Sequence, residues 1–315
     1  MPIEPKTSIT NTAYQILAQI NQNHVKTFTE DGRAPIENLY AAYLKLLEPG
    51  HWEVEIIAEA ATTWQGKPVD FPILAFKTKI TGPALYILSG IHGEEPTGPN
   101  AIADSLDVLT EMGKNRPVVL IPLCNPLGYF RKWRYLNKEQ YSDQPEVEGM
   151  SVGDSEHLLL TADKTAVRRP KPANDTCDAL SNFILQTSQN YPPEISVDFH
   201  GDILIPNGYV YSQGQAGAKD FLADQFIRIF EQNHIPIQKD GQTRFGEPII
   251  DGKTGRQQDG SIDELLSADK IMVDGRIIPG PNAPHVFVLE TPDADLPIET
   301  RKQAYKAVLK FLSTL

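Results

Sequence analysis

The sequence is poor in cysteine, and this limits the ways in which the chain can be cross-linked. Its 315 residues include two cysteines, Cys124 and Cys177, and neither has the C-x-x-C spacing of a zinc or redox site. Both lie among apolar or helix-forming residues. We therefore expect no disulfide framework and predict that both cysteines are small buried hydrophobic side chains.

Basic residues and long apolar runs are also scarce. Lysine and arginine total 29 against 41 acidic residues, which gives a formal net charge of −12. Such a chain repels phosphate backbones and anionic lipids, so nucleic-acid and membrane-surface partners are disfavoured. No segment approaches the roughly 20 apolar residues that span a bilayer. The N-terminus shows no basic stretch followed by an apolar run, so we expect no signal peptide and a cytoplasmic protein.

Short apolar runs alternate with amphipathic segments along most of the chain. Strands are predicted at residues 52–58, 71–79, 84–93, 117–124, 194–202, 208–212 and 285–292, and helices at 12–25, 39–48, 98–109, 174–188, 218–233 and 298–313. Residues 126–172 and 239–282 lack this periodicity and are predicted as loops. The alternation indicates one α/β domain over residues 1–315, with three layers and a sheet that is parallel at its centre.

Three of the predicted strands end in a side chain that could bind a metal ion or carry a proton. His92 follows the run at 84–91, His200 follows the run at 194–199, and Glu290 ends the run at 285–289. Ligand sites of open α/β sheets form at the carboxyl ends of the strands. The three side chains can therefore meet in space although they are far apart in the sequence.

The ligand types favour zinc. His92 and Glu95 are three residues apart, with Gly93 between them to ease a turn. A catalytic zinc site takes three nitrogen or oxygen ligands and keeps one open position, which His200 would complete. Cobalt or manganese could occupy the same ligands. Alternatively, His92 and Glu95 form a solvated surface pair, and His200 is a hydrogen-bonded histidine of the core.

Acidic side chains near these residues have two interpretations each. Asp198 and Asp202 flank His200, and Asp198 shares its face of a regular strand, where it could orient the imidazole. Glu290 follows four apolar residues, where a buried carboxylate is costly unless it is paired or functional. It could act as a general base beside a zinc ion. Alternatively, the strand emerges into solvent at Glu290.

The order of these motifs resembles the M14 family of zinc metallocarboxypeptidases, close to the succinylglutamate desuccinylase and aspartoacylase branch. The resemblance rests on H-x-x-E at 92–95, N-P-x-G at 125–128, His200 after a strand, and a late strand that ends at Glu290. It covers about residues 84–292. It implies an α/β/α sandwich around a mixed sheet.

The resemblance also implies a set of site residues. One zinc ion per chain would be bound by His92, Glu95 and His200, and Glu290 would transfer protons. An arginine after N-P-x-G would polarise the scissile carbonyl; Arg134 is our choice, and Arg131 is the alternative.

The chain departs from the family where the substrate carboxylate would bind. The family's G-V-D-x-N-R run is replaced by residues 151–157, which end in His157. We predict that His157 binds substrate, with the pair at 168–169 as a substitute for the missing arginine. The family's mobile tyrosine has no clear counterpart, because Tyr209 and Tyr211 lie close to His200 in the sequence.

The function expected from this resemblance is hydrolysis of a C-terminal peptide or peptide-like amide bond. The substrate would be a small peptide or an acylated amino acid. The missing Asn-Arg pair leaves two related activities open, namely N-acyl amino acid deacylation and murein-peptide amidase activity. The non-enzymatic alternative is a module that binds metal or ligand without catalysis.

Overall fold

The computed structural model of the protein describes residues 26–64, 67–136 and 151–315. The predicted helix at residues 12–25 lies outside these residues. Within them, the strands are β1 (Trp52–Trp64), β2 (Lys67–Thr78), β3 (Ala84–Ser89), β4 (Val118–Ile121), β5 (Pro193–Asp202), β6 (Tyr209–Ser212), β7 (Asp240–Gln242), β8 (Pro248–Ile250), β9 (Lys253–Thr254), β10 (Lys270–Val273), β11 (Arg276–Pro279) and β12 (His285–Pro292).

The α-helices of the same residues are α1 (Ile36–Leu44), α2 (Thr97–Ala103), α3 (Leu106–Asn115), α4 (Pro126–Arg131), α5 (Asp175–Thr187), α6 (Phe221–Gln232), α7 (Ile262–Ser267) and α8 (Ile298–Leu312). Short 3₁₀ turns follow α1 at Lys45–Leu47 and precede α6 at Gly217–Lys219. None of the helices in the described part of the chain is both long and apolar enough to cross a membrane.

One ten-stranded sheet organises the described residues, in the order β1-β2-β4-β3-β5-β12-β6-β9-β8-β7. Its four central strands, β4, β3, β5 and β12, pair in parallel, whereas β1 and β2 on one side and β6 on the other pair antiparallel with their inner neighbours. Strands β3 and β4 are buried along their whole length, as their continuous apolar sequence predicts for a parallel sheet. The predicted mixed sheet with a parallel centre is confirmed.

Helices pack on both faces of this sheet. Successive side chains of a strand point to opposite faces, so a continuously apolar strand contributes to two cores. In β3, Leu85 and Ile87 belong to the core shared with α1, α2, α3, α6 and α8. Tyr86 and Leu88 belong to a second core, shared with α5 and α7. The helices therefore form the two outer layers of an α/β/α sandwich.

Several predicted boundaries were wrong, and the cause is tertiary pairing. The stretch at 239–282, predicted as a loop, contains β7 to β11 and α7, while the stretch at 126–172 contains α4. Strands β7 to β9 are two or three residues long, so their pairing partners define them rather than any periodicity. The helix predicted at 98–109 is two helices, α2 and α3. The break falls where the Ser105 hydroxyl bonds back to the Ala101 carbonyl at 2.7 Å.

The prediction for the two cysteines is confirmed. Cys124 and Cys177 are both buried and neither forms a disulfide. Burial raises the pKa of both thiols, to about 12 for Cys177. Thiols in this state are inert packing groups.

Candidate active site

The carboxyl ends of three central strands meet at one cavity of about 510 Å³. His92 lies just beyond the end of β3, His200 lies on β5, and Glu290 lies on β12. Parallel pairing places Glu290 directly opposite His200. All three residues line the cavity, together with Glu95 and Arg134. The structure therefore brings together the five residues for which the sequence predicts metal binding or catalysis.

Three of these side chains present their ligand atoms to a common point. Nδ1 of His92 lies 2.8 Å from Oε1 of Glu95, and Nδ1 of His200 lies 3.1 Å from Oε2 of the same carboxylate. The two Nδ1 atoms are 3.2 Å apart. Ligands at 2.0–2.1 Å around a tetrahedral zinc ion are about 3.3 Å from each other. The donor set therefore fits one tetrahedral metal ion, and its chemistry favours zinc.

The charges of this cluster suit a cation. Burial, and then the charge of Arg134, lower the pKa of His92 to about 3. Burial opposes ionisation of Glu95, but the two histidines outweigh it and hold its pKa well below the usual value. Glu95 is therefore ionised and His92 neutral, which are the protonation states that a metal ion requires.

Asp198 occupies the position behind His200 that the strand alternation predicts. It is fully buried, and its Oδ2 lies 3.1 Å from Nε2 of His200. Burial lowers the pKa of His200, but Asp198 and then Glu95 outweigh it and raise that pKa well above its usual value. The imidazole therefore favours a proton on both nitrogens, and Asp198 would keep the proton on Nε2 when a metal ion replaces the one on Nδ1.

Asp263, on α7, is an acidic residue of this cluster that the sequence reasoning missed. Ligand atoms of Asp198, His200 and Asp263 lie within 4.8 Å of one another. Burial, followed by the charge of Asp198, raises the pKa of Asp263 well above its usual value. The sequence gives no sign of this role, because residues 239–282 are predicted as a loop. Asp263 reaches β5 only through the packing of α7.

The turn that carries His92 and Glu95 packs directly on the N-P-x-G segment. A Cβ atom at Gly93 would lie 2.0 Å from the carbonyl carbon of Gly128. The Gly93 N–H and the side-chain amide of Asn125 both donate to the Arg134 carbonyl, each at 3.3 Å. Glycine is therefore required at 93 for close packing, and the two motifs together position the metal ligands and Arg134.

A buried arginine outside every predicted motif holds the same turn. Arg33 donates from Nη1 to the Gly93 carbonyl at 2.8 Å and from Nη2 to the Glu94 carbonyl at 3.2 Å. Its guanidinium is paired with Asp31 at 2.6 Å. This residue lies about 60 positions before the turn, and no local signal in the sequence identifies its role.

Arg134, the choice from sequence, lies in the cavity wall. Its Nη1 donates to Oε1 of Glu94 and to Oε1 of Glu95, both at 2.9 Å. The alternative, Arg131, stacks on Trp133 with 4.4 Å between the guanidinium carbon and the ring centroid, and it is not among the lining residues. The placement therefore favours Arg134 as the cation beside the metal ligands.

Glu290 is partly buried, and its carboxylate faces the cavity. Burial raises its pKa to about 8, although the positive charge of His200 opposes this shift. Its Oε2 has no hydrogen-bond partner among the described residues. A carboxyl group of this kind is able to accept a proton and to release it again.

His157 does not line the cavity, so the geometry does not support its predicted role in substrate binding. Its Nε2 lies 3.4 Å from Asp178 of α5. The substitutes are also engaged elsewhere: Arg168 pairs with Glu264, and Arg169 pairs with Asp154 at 2.6 Å. A role for His157 in substrate binding stays a prediction.

The two tyrosines near His200 line the cavity, and both are buried. The Tyr209 hydroxyl donates to Asp202 at 2.8 Å, which fixes its ring against β5.

No protein-family model and no curated protein matches the chain. Solved structures do match it in fold. A Shewanella baltica "putative metallopeptidase" aligns over 89% of this chain and 91% of its own, with 18% identity and a TM-score of 0.66. A metallo-carboxypeptidase from Burkholderia cenocepacia aligns over 90% of this chain and 69% of its own, with 12% identity and a TM-score of 0.56.

A Pseudomonas aeruginosa metallo-carboxypeptidase, solved with (2-guanidinoethylmercapto)succinic acid, aligns over 90% of this chain and 69% of its own. Its identity is 15% and its TM-score 0.54. The expected likeness to metallocarboxypeptidases is thus confirmed at the level of the fold.

The ligand geometry predicts one zinc ion per chain. His92→Ala and His200→Ala should each strongly reduce bound zinc, because each removes one of three protein ligands. Metal content after dialysis, measured by mass spectrometry, tests this. His285→Ala is the matched control, since that histidine pairs with Asp220 at 2.7 Å outside the cavity lining. Full zinc retention in both ligand variants would refute the site.

The contact between Asp198 and His200 predicts a weaker effect of a different kind. Asp198→Asn should keep zinc binding but lower the affinity about 10- to 100-fold, because the carboxylate that orients the ligand is lost. Competition with a chromogenic chelator measures this affinity. Asp220→Asn, in the equivalent pair with His285, should leave it unchanged; an unchanged affinity in Asp198→Asn would show that Asp198 does not support the metal.

Proposed function

We propose that this protein is a zinc-dependent hydrolase of the M14 metallocarboxypeptidase type that cleaves a C-terminal peptide or peptide-like amide bond. The observation that carries the proposal is the convergence of His92, Glu95, His200 and Glu290 on one cavity of a metallocarboxypeptidase-like fold. Such a site combines three metal ligands, one free carboxyl and a cation, which is the equipment for metal-assisted hydrolysis.

His92, Glu95 and His200 would hold the zinc ion. Zinc in such a site supplies a Lewis acid and a water of lowered pKa. The strand ends that carry these ligands keep the reacting groups in place, and Arg33 holds the His92 turn through the Gly93 carbonyl.

Glu290 would act as the general base and then as the general acid. Its carboxylate takes a proton from the attacking water and later delivers that proton to the leaving amine. Burial favours the protonated form of Glu290, whereas the charge of a bound metal ion would favour the carboxylate, so the group could both accept the proton and release it.

Arg134 would stabilise the negative charge that develops on the carbonyl oxygen. Its guanidinium remains charged throughout, and the flanking Glu94 fixes its position at 2.9 Å. A positioned cation in a partly dry cavity lowers the energy of an oxyanion more than it does in water.

A second activity is favoured by one specific observation. Arg168 and Arg169, the arginines nearest to the family's carboxylate-binding position in sequence, are paired with acidic side chains. The usual grip on a peptide C-terminus is therefore missing from this segment. The same chemistry on an N-acyl amino acid, or on a murein peptide, is the alternative that this difference leaves open.

Removing the proposed general base should lower the rate of hydrolysis without lowering the amount of bound zinc. Glu290→Gln preserves the size of the side chain, so it should keep zinc but lower the hydrolysis rate about 10²- to 10⁴-fold. The turnover number and zinc content of the same preparation test this. Glu299→Gln, an exposed change on α8, is the control and should match the wild type. Normal turnover in Glu290→Gln would exclude Glu290 as the base.

The substrate class is tested with the zinc-loaded wild type on three sets of compounds: short peptides with a free C-terminus, N-acyl amino acids, and cell-wall peptides. The proposed carboxypeptidase-like activity predicts the highest kcat/KM on the first set. A preference for either of the other sets would assign the alternative activity. Zinc binding without hydrolysis of any set would point instead to a module that binds ligand without catalysis.

A further inference from the structure

The walls of the cavity are strongly acidic. Among the described lining residues, acidic side chains far outnumber the two arginines, Arg134 and Arg244. Asp198 and Asp263 are both buried; Asp198 faces His200, whereas Oδ1 of Asp263 has no hydrogen-bond partner in the described part of the chain. A substrate with a negative charge would be repelled here unless a cation of the wall faced it.

The arginine at the metal ligands is already engaged. Nη1 of Arg134 donates to both Glu94 and Glu95. Arg244 differs in this respect, because no ion pair joins it to an acidic side chain of the described residues. Its contact is with Phe245, whose ring centroid lies 4.7 Å from the guanidinium carbon. Arg244 is therefore the arginine of the described cavity wall whose charge is not already paired with a carboxylate of the described residues.

Arg244 lies at the tip of the hairpin formed by β7 and β8. The Thr243 N–H donates to the Glu247 carbonyl at 2.9 Å, and the Gly246 N–H donates to the Thr243 carbonyl at 3.0 Å. Thr243 is buried, and Gly246 has a φ of 88°, which glycine adopts without strain. The tip is thus a closed turn that presents Arg244 to the cavity in a defined position.

The charge of Arg244 also acts on the proposed base. Burial raises the pKa of Glu290, and among the smaller influences the Arg244 charge lowers it. Arg244 therefore lies within electrostatic reach of the site where the amide would be cleaved. Phe245 beside it is 60% exposed and adds an apolar surface at the mouth.

We infer that Arg244 binds the substrate carboxylate next to the scissile amide, in place of the arginine missing from the 151–157 segment. The inference rests on the proposed function of the same cavity. An arginine presents paired donors that match a carboxylate and stay charged at all physiological pH values. The substrate class is then a compound with a free α-carboxylate on the leaving amine, either a peptide C-terminus or an N-acyl amino acid.

Binding to an inactive protein tests this without reference to turnover. In the zinc-loaded Glu290→Gln background, N-acetyl-alanyl-alanine should bind about 10- to 100-fold more tightly than its C-terminal amide, as expected for a charge-assisted contact. Adding Arg244→Gln should abolish that preference, and Arg244→Lys should restore part of it. Isothermal titration calorimetry measures all of these affinities.

The control is Arg276→Gln, which removes an exposed arginine from the other hairpin, between β10 and β11, and should keep the preference. The preference should also be constant from about pH 6 to pH 9, because arginine does not titrate there. A histidine grip by His157 would instead weaken as the pH rises. Thermal melting of each variant confirms that it is folded.

Two results would overturn the inference. The first is a preference for the carboxylate that survives Arg244→Gln, since the metal or another group would then hold the carboxylate. The second is that the Glu290→Gln protein, in which Arg244 is unchanged, binds the acid and the amide equally or binds neither. A wild type that binds as expected but hydrolyses none of the compound sets would refute the proposed function and leave the role of Arg244 intact.

Discussion

The parallel pairing of β5 with β12 is the constraint on which the site depends. It places His200 opposite Glu290, so a candidate metal ligand and a carboxyl group are adjacent without any contribution from loops. Parallel pairing of β3 with β5 brings the turn at His92 to the same edge. A shift of one residue in either register would turn these side chains to the other face of the sheet. Such a shift is costly because it would move Asp198 and His200 into the apolar core where Val197 and Phe199 pack.

The strand ends are held by buried polar contacts from distant parts of the chain. The single Tyr305 O–H of α8 lies within hydrogen-bond distance of the carbonyls of both Leu289 and His200, and so links β12 to β5 beside the site. Arg301 of the same helix pairs with Asp293, just beyond β12. Arg33 holds the His92 turn in the same way, by donating to the carbonyls of Gly93 and Glu94. These buried polar groups are tolerated because each has a partner, and removing one partner would leave the other buried and unsatisfied.

In the cavity wall, strands and loops carry residues proposed for two different roles, catalysis and substrate recognition. Metal ligands and a general base need precise positioning, and the residues proposed for these roles lie on or shortly after buried strands of the central sheet. Arg244, the residue that would recognise a substrate, lies on the β7–β8 hairpin at the outer edge of the sheet. Loops of this kind can change without disturbing the core, so one fold can carry related activities on different amides.

The sequence alone predicted the parallel centre of the sheet and the candidate metal ligands. Continuous apolar runs ending in His92, His200 and Glu290 are local patterns that can be recognised in the sequence. Because ligand sites of α/β sheets form at the carboxyl ends of strands, these patterns predict where the site lies. The resemblance to metallocarboxypeptidases added Arg134, which the structure places at the cavity. It also suggested His157 as the residue that binds the substrate carboxylate, because His157 stands in the sequence about where the family has an arginine. The structure instead places His157 beside Asp178.

Only the tertiary structure decided the remaining parts of the site. Arg33, Asp263 and Arg244 come from segments with no periodic pattern, and each is defined by what packs against it. The strands β7 to β9 are too short to carry a hydrophobic alternation, so their pairing follows from neighbours that are distant in sequence. Local composition encodes burial and period, whereas the direction of a charged side chain in a loop depends on the free energy of contacts that form only when the chain is folded.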